Sequence, residues 1–317
     1  MFNAEVKTEF IRQYTTDAAV ARSLLLMFNR LEPYEVDYGG DICTMPVESA
    51  QLVIDKEYGR SKSRSAETFI ALKKYSKWAI HTGVPGACDG LANVKDPSAE
   101  YIKERTVSGP KHLSICLDQM LLPAGSETMD DIYRCFIWLA FFGIPAEDAV
   151  EITTEEVDIR NLCITHNNKT YTICQEALPE VRNATTLNQI LYIHENPHYE
   201  RMRDRVPGNK ILRGLRRDID LGYIRGLVGH KVTLARRAGK LKVQLGYTNV
   251  WRSGLFYRMY ENERAGLLVD FRDAAIQHVL GDNDGADLNA KFTPKYIANT
   301  INKLTQDYNR WKLAYSI

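Results

Sequence analysis

The sequence predicts a mainly α-helical protein with one small antiparallel β element, an α+β chain of two domains. Three observations predict it. Apolar residues recur at helical spacing through most of the 317 residues, a length at which two domains are expected. One short stretch around Asn167-Asn168 breaks that spacing and reads as a hairpin. Pro85, Gly86, Gly90, Pro97, Gly109 and Pro110 interrupt the chain between two helical regions.

Taken in order, Val6, Phe10 and Ile11 line one side of a helix over residues 4–14, with Lys7 and Glu9 on the other. Thr16-Asp17 offers a start for a helix over Ala18–Arg30. Pro46 opens a third helix that reaches about Tyr58 and stops at Gly59. Ser63 or Ser65 caps a fourth, whose apolar face is Phe69, Leu72, Tyr75, Trp78 and Ala79. Residues 1–84 therefore read as a compact helical domain, 85–109 as a linker and 110–317 as a second domain. In the second domain, helices are expected at 110–122 and 128–142. Val157, Ile159, Leu162 and Ile164 form a strand, Asn167-Asn168 a tight turn, and Tyr171–Cys174 the returning strand, with His166 and Lys169 at the tip. Further helices are expected at about 176–194, 249–265, 270–280 and 293–313.

Composition narrows the function. With 44% apolar and 26% charged residues the chain can bury a sizeable core, and a net charge of +1 names no partner. The six cysteines, Cys43, Cys88, Cys116, Cys135, Cys163 and Cys174, form no metal-ligand spacing and read as reduced thiols. The opening MFNAEVKTEF has no apolar signal core, and the longest apolar run, Cys135–Gly143, is too short to span a bilayer. A cytoplasmic protein is expected. Gly222, Gly226 and Gly229 make no phosphate-loop fingerprint, and Pro197 separates His194 from His198, so neither cofactor nor metal is expected.

The distribution of charge is more informative than its sum. Residues 201–242 hold Arg201, Arg203, Arg205, Lys210, Arg213, Arg216, Arg217, Arg225, Lys231, Arg236, Arg237, Lys240 and Lys242 against Asp204, Asp218 and Asp220 alone. Such a concentration is the footprint of a polyanion site, set against the bland reading of a solvated face. Directly after it, Asn249-Val250-Trp251-Arg252-Ser253-Gly254 opens an apolar helix. An arginine there can meet two phosphate oxygens with its planar fork, although a surface arginine near a helix start would look the same.

The order of these features resembles the tyrosine recombinase (phage integrase) family along nearly the whole chain: a small helical domain, a linker, a long apolar helix, a hairpin with Lys169, a basic region, Asn249–Arg252 and a helical end with tyrosines. The resemblance implies an N-terminal helical core-binding (SAM-like) domain and a catalytic-like domain that close on duplex DNA as a clamp. At the chemistry the motifs depart from the family. Where the family has Gly-Leu-Arg-x-x-Glu, this chain has Gly143-Ile144-Pro145-Ala146-Glu147-Asp148, with proline at the arginine position. The hairpin lysine matches Lys169. The His-x-x-Arg box matches Asn249-Val250-Trp251-Arg252, and the Leu-Gly-His box matches Leu280-Gly281-Asp282. Tyr296 is the nearest candidate nucleophile but is displaced, and Tyr308 lies too far on.

Each cationic donor on a phosphorane-like transition state can be worth roughly 3 kcal/mol or more. The losses therefore imply a chain that holds DNA and is no enzyme, with Lys169, Arg252 and Tyr296 as vestigial catalytic candidates. This pattern is similar to the phage lytic-cycle master repressors, regulators that maintain lysogeny in a bacterial host. The expected partner is duplex DNA at operator sites in the nucleoid, with self-association or a regulatory protein partner also admitted. The expected DNA contacts are Lys169, Arg252, and Arg201, Arg203, Arg205, Lys210, Arg213, Arg216, Arg217, Arg236, Arg237, Lys240 and Lys242. Two alternatives stand beside this reading. One is an active integrase using Tyr296, with Arg213, Arg216 or Arg217 in place of the lost arginine. The other is a module whose basic patch meets an acidic protein.

Overall fold

The computed structural model describes residues 1–58, 62–95, 98–120, 130–192, 201–215, 217–281 and 292–317. The chain divides into two compact units, Met1–Ile102 and Lys103–Ile317.

The first unit is built from α1 (Ala4–Tyr14), α2 (Ala18–Tyr38), α3 (Val47–Tyr58), α4 (Lys62–His81) and the short α5 (Gly90–Asn93), with α6 (Ser98–Lys103) at the division. Asp17 caps α2 by accepting from the Ala19 and Val20 amides. Contrary to expectation, α2 does not stop at Arg30. It runs through Pro33 to Tyr38 and ends where Gly39 turns left-handed at φ 75°. Leu24, Met27, Phe28 and Leu31 keep one face on the core, and that burial offsets the hydrogen bond Pro33 removes. Phe10, Phe28 and Tyr75 meet edge-on at the centre. Four polar groups are buried among them. Lys7 Nζ lies 2.5 Å from Glu35 Oε1 and 3.5 Å from Asp41 Oδ2, and the Tyr75 hydroxyl donates to Asp41 at 2.9 Å. Residues 85–102, expected as linker, belong to this unit: Leu91 and Val94 are buried in its core. The helix start expected at Ser63 or Ser65 lies among side chains outside the described residues.

The second unit is organised around α8 (Asp130–Phe142), which follows α7 (Pro110–Gln119). From Cys135 to Phe142 every residue of α8 is buried, the mark of a helix enclosed on all sides. The short α9 (Ala146–Ala149) leads to β1 (Val157–Asp158), β2 (Cys163–His166) and β3 (Lys169–Thr172), a three-stranded antiparallel sheet in that order. Asn167 and Asn168 both take positive φ, 49° and 60°, as a two-residue hairpin turn requires, and set His166 opposite Lys169.

The helix expected over 176–194 is shorter. α10 (Leu178–Thr186) ends at extended Leu187, and Gln189–Tyr192 forms β4, paired antiparallel with β5 (Arg201–Asp204). β-branched Thr185 and Thr186 return their hydroxyls to the carbonyls of Val181 and Arg182, which weakens helix continuation there. The basic segment holds a helix that charge had obscured, α11 (Leu221–Arg237), capped by Asp220. Then come α12 (Tyr247–Arg264), α13 (Phe271–Gly281) and α14 (Pro294–Tyr315). The last buries Leu304, Tyr308, Trp311 and Ala314 on one face, and Trp311 Nε1 donates to the Val107 carbonyl at 3.1 Å. The chain is thus mainly helical with small antiparallel β elements, the fold class that the sequence predicts.

Candidate functional site

The segment 201–242 separates by burial into cations that hold the fold and cations that face solvent. Arg205 is buried, and its Nη1 donates to the Ala184 carbonyl at 3.1 Å and the Asn183 carbonyl at 3.4 Å, at the C-terminal end of α10. Arg213 is also buried and donates to the carbonyl of Gly208 and to Asn188 Oδ1, both at 3.1 Å. Both were expected among the DNA contacts; their interior positions correct that. Lys231 is buried with its ammonium 4.2 Å from the centre of the Tyr133 ring. Lys210 pairs with Glu151 at 2.7 Å, and Arg225 faces Glu147 at 3.9 Å. Arg203 is half-buried on β5. Arg216 and the side chain of Arg201 lie outside the described residues.

What faces solvent is compact. Arg217 is exposed, with its guanidinium 4.9 Å from the centre of the Tyr223 ring. Arg236 and Arg237 end α11, where cations suit the helix dipole. From Lys240 to Leu245 exposed and buried residues alternate: Lys240, Lys242 and Gln244 outward, Leu241, Val243 and Leu245 in the core. The three apolar anchors fix the segment and present the lysines. Among the described residues none of Arg236, Arg237, Lys240 and Lys242 pairs with a carboxylate.

The Asn249–Gly254 box is largely committed to packing. Asn249 Nδ2 donates to the Gln244 carbonyl at 2.9 Å, and Ser253 Oγ accepts from the Val107 amide at 3.0 Å while donating to the Asn249 carbonyl at 2.8 Å. Trp251 is buried and donates from Nε1 to the Gln277 carbonyl. Gly254 lies so close to α8 that a Cβ there would stand 1.9 Å from the Phe141 oxygen. Arg252 is half-buried, and its Nε has no hydrogen-bond partner among the described residues.

One turn and a half further on, α12 supplies a residue that the sequence reading passed over. Arg258 reaches the end of α8, where its Nη1 donates to the Phe141 carbonyl at 2.6 Å. Gly143, at φ +91°, makes room: a Cβ there would stand 2.7 Å from Arg258 Nη2. That Nη2 is buried and has no hydrogen-bond partner among the described residues. Burial draws the Arg258 pKa down to about 10, against the opposing pull of Tyr171 and Asp273. Arg258, Lys169, Tyr171, Pro145 and Trp251 line one cavity of about 520 Å³. Arg252 does not line it, so the structure does not bring Lys169 and Arg252 together there. Tyr296, on the first turn of α14, is exposed and does not line the cavity either. Asp282 lies outside the described residues, as do His194 and His198. His166, beside Lys169 in the hairpin register, is buried with Nδ1 2.8 Å from Glu156 Oε1. The Glu156 carboxyl lies below its ordinary range: burial raises it, but hydrogen bonds from Thr153 and His166 outweigh that.

Among the described residues no helix is long and apolar enough to cross a membrane, and no group of three or more His, Cys, Asp or Glu could hold a metal ion.

No family model matches the chain, and no curated protein matches it. Solved structures do. The chain is similar to XerA recombinase at 10% identity and TM-score 0.38, covering 95% of this chain and 98% of that one. It is similar to the integrase from mycobacterium phage Brujita at 15% identity and TM-score 0.31, covering 97% and 96%. It is also similar to the Tn1549 transposon integrase in complex with a circular intermediate DNA, at 13% identity and TM-score 0.36, covering 95% and 98%. Each of these neighbours is named a recombinase or an integrase, and those are enzymes. Against that finding, the expectation that this chain is no enzyme is corrected and withdrawn.

Proposed function

We propose that the chain binds duplex DNA sequence-specifically and regulates transcription from the sites it holds, as a phage repressor that maintains lysogeny. The observation that carries the DNA-binding reading is the cluster at 236–242. Four cations stand exposed within seven residues, free of carboxylate partners among the described residues, on a segment anchored by Leu241, Val243 and Leu245. Cations fixed in this way neutralise phosphates without first leaving an ion pair. Arg217 and Arg252 are proposed as further phosphate contacts. The regulatory part of the reading rests on the resemblance of the sequence to phage master repressors.

The test is salt dependence. Each neutralised phosphate contributes a slope of about −0.9 in log K against log salt, so four give about −3.6. Between roughly 50 and 200 mM salt, affinity should fall by about 150-fold from these contacts alone. Replacing Arg236, Arg237, Lys240 and Lys242 together by glutamine should remove that share of the slope. A flat salt response, or an unchanged slope in the fourfold variant, refutes the assignment. Footprinting on the source genome separates regulation from recombination, since promoters and an attachment junction are different sites. The same duplexes carrying a nick report on strand cleavage: a denaturant-resistant adduct that disappears in Tyr296→Phe marks a recombinase.

A further inference from the structure

The cavity against Arg258 has the size of a small-molecule site, about 520 Å³. Its lining has two characters. Phe141, Phe142, Trp251 and Ile276 give it apolar and aromatic walls, while Lys169 and Arg258 bring positive charge. Arg258 is the unusual member. It is half-buried, and among the described residues no carboxylate lies within ion-pair distance; Nη1 donates to the Phe141 carbonyl while the buried Nη2 has no hydrogen-bond partner among them. The Nη2 end of a guanidinium held this way has given up hydration without receiving a counter-ion, which is unfavourable until an anion meets it. Gly143 keeps backbone, and no side chain, against that Nη2. Asp273 is the carboxylate on the lining, and its Oδ2 is engaged by Gln277 Nε2 at 2.6 Å. Two cations against one carboxylate leave the lining net positive.

We propose that this cavity binds a small anion, a carboxylate or phosphate group carried on an aromatic or aliphatic body. The anionic head sits on Arg258 and Lys169, where the planar fork of the arginine meets two oxygens at once. The body lies against Phe141, Phe142 and Trp251. Neither half of such a ligand satisfies the site alone: a bare anion leaves the aromatic walls wet, and a neutral body leaves Nη2 unpartnered.

The experiment uses the full chain and four probes: phenyl phosphate, phenylacetate, inorganic phosphate and benzyl alcohol. Binding is read by saturation-transfer NMR and by titration of tryptophan fluorescence, since Trp251 is on the lining. Saturable binding of phenyl phosphate or phenylacetate is expected, at least about tenfold tighter than either inorganic phosphate or benzyl alcohol. Lys169→Gln, an exposed position at the hairpin tip, should weaken it by about tenfold while leaving the melting temperature unchanged, the loss of one charge-assisted contact. Arg258→Lys keeps the charge and removes the fork, and should weaken binding further. Should that variant not fold, Lys169→Gln decides. No saturable binding of either aryl anion overturns the proposal, as does binding indifferent to Lys169→Gln or matched by benzyl alcohol. Displacement of phenyl phosphate by short duplex DNA, one equivalent for each site, also overturns it and makes the cavity a seat for a backbone phosphate.

Discussion

Replacing Lys7 by methionine tests how the first unit tolerates its buried charges. Lys7 and Glu35 have no exposed side-chain surface, and Asp41 has almost none. Glu35 Oε1 accepts from Lys7 at 2.5 Å and from the Ile42 amide at 2.9 Å, while its other oxygen has no partner among the described residues. Burial raises the Glu35 pKa, and the charge and hydrogen bond of Lys7 hold it down. Lys7→Met fills similar volume but strands two carboxylates, a change that costs about 3–5 kcal/mol when one member of a buried pair is removed. In a unit of this size each kcal/mol moves the melting temperature by about 4–8 °C, so its transition should fall by more than about 12 °C. The pH dependence gives the loss a signature. A carboxyl whose folded pKa lies above its unfolded value destabilises the fold as pH rises through that interval and is harmless below both values. Without Lys7 the interval widens upward, so the deficit should be largest near neutral pH and shrink as the solution is acidified towards the unfolded value of Glu35. Calorimetry of the full chain across that range measures it, with Glu35→Gln added to Lys7→Met expected to recover most of the loss. A deficit under about 1 kcal/mol, or one that acidification leaves unchanged, would refute the view that Lys7 is what makes these carboxylates tolerable.

Other substitutions separate packing from binding. Gly254→Ala should push α12 off α8 and destabilise the second unit by at least about 1–3 kcal/mol, because the obstacle is the Phe141 backbone oxygen and not a movable side chain; a melting curve like that of the parent chain speaks against it. Arg205→Ala should lower the melting temperature and leave the salt slope of DNA binding alone, since its bonds go to the carbonyls of Asn183 and Ala184; a reduced slope would return Arg205 to the DNA contacts. Arg252→Ala should weaken DNA binding by roughly 1–3 kcal/mol with the fold intact, the range for a lost charge-assisted hydrogen bond. Unchanged affinity at unchanged stability would make Arg252 an ordinary surface arginine.

Much of the helical frame is written in periodicity. Phe10 and Ile11, Phe69, Leu72 and Tyr75, and the run Cys135–Phe142 all lie in cores where their spacing places them. The Asn167-Asn168 turn is legible because few residues tolerate positive φ twice in succession. Three features were not legible, each for its own reason. Pro33 reads as a helix stop, yet the core contacts of the same helix outweigh the bond it removes. β4 sits in a stretch with no strand alternation, and its partner β5 is not adjacent to it in sequence. α11 is masked by the charge its stretch carries, although Ile224, Val228, Val232 and Ala235 mark a helical face.

The candidate site shows the same limit more sharply. Thirteen basic residues in one segment look like one patch, but basic composition does not say where a guanidinium goes. Arg205 and Arg213 close off backbone carbonyls, Lys231 lies over an aromatic ring, and Lys210 is engaged by Glu151. The first three are buried and Lys210 is paired, so counting Arg205, Arg213 and Lys210 as DNA contacts overstates the footprint. The sequence does hold a local signal that discriminates: Lys240-Leu241-Lys242-Val243 alternates, and alternation beside a core sends every second residue outward. Arg258 carries no comparable signal. It sits in an apolar helix where an arginine reads as an intrusion, and its role follows only from the close packing of α12 on α8 at Gly254 and the room left by Gly143. An arginine that an apolar helix face would be expected to exclude was therefore the more informative residue, because keeping it there requires the fold to provide both a carbonyl and a space.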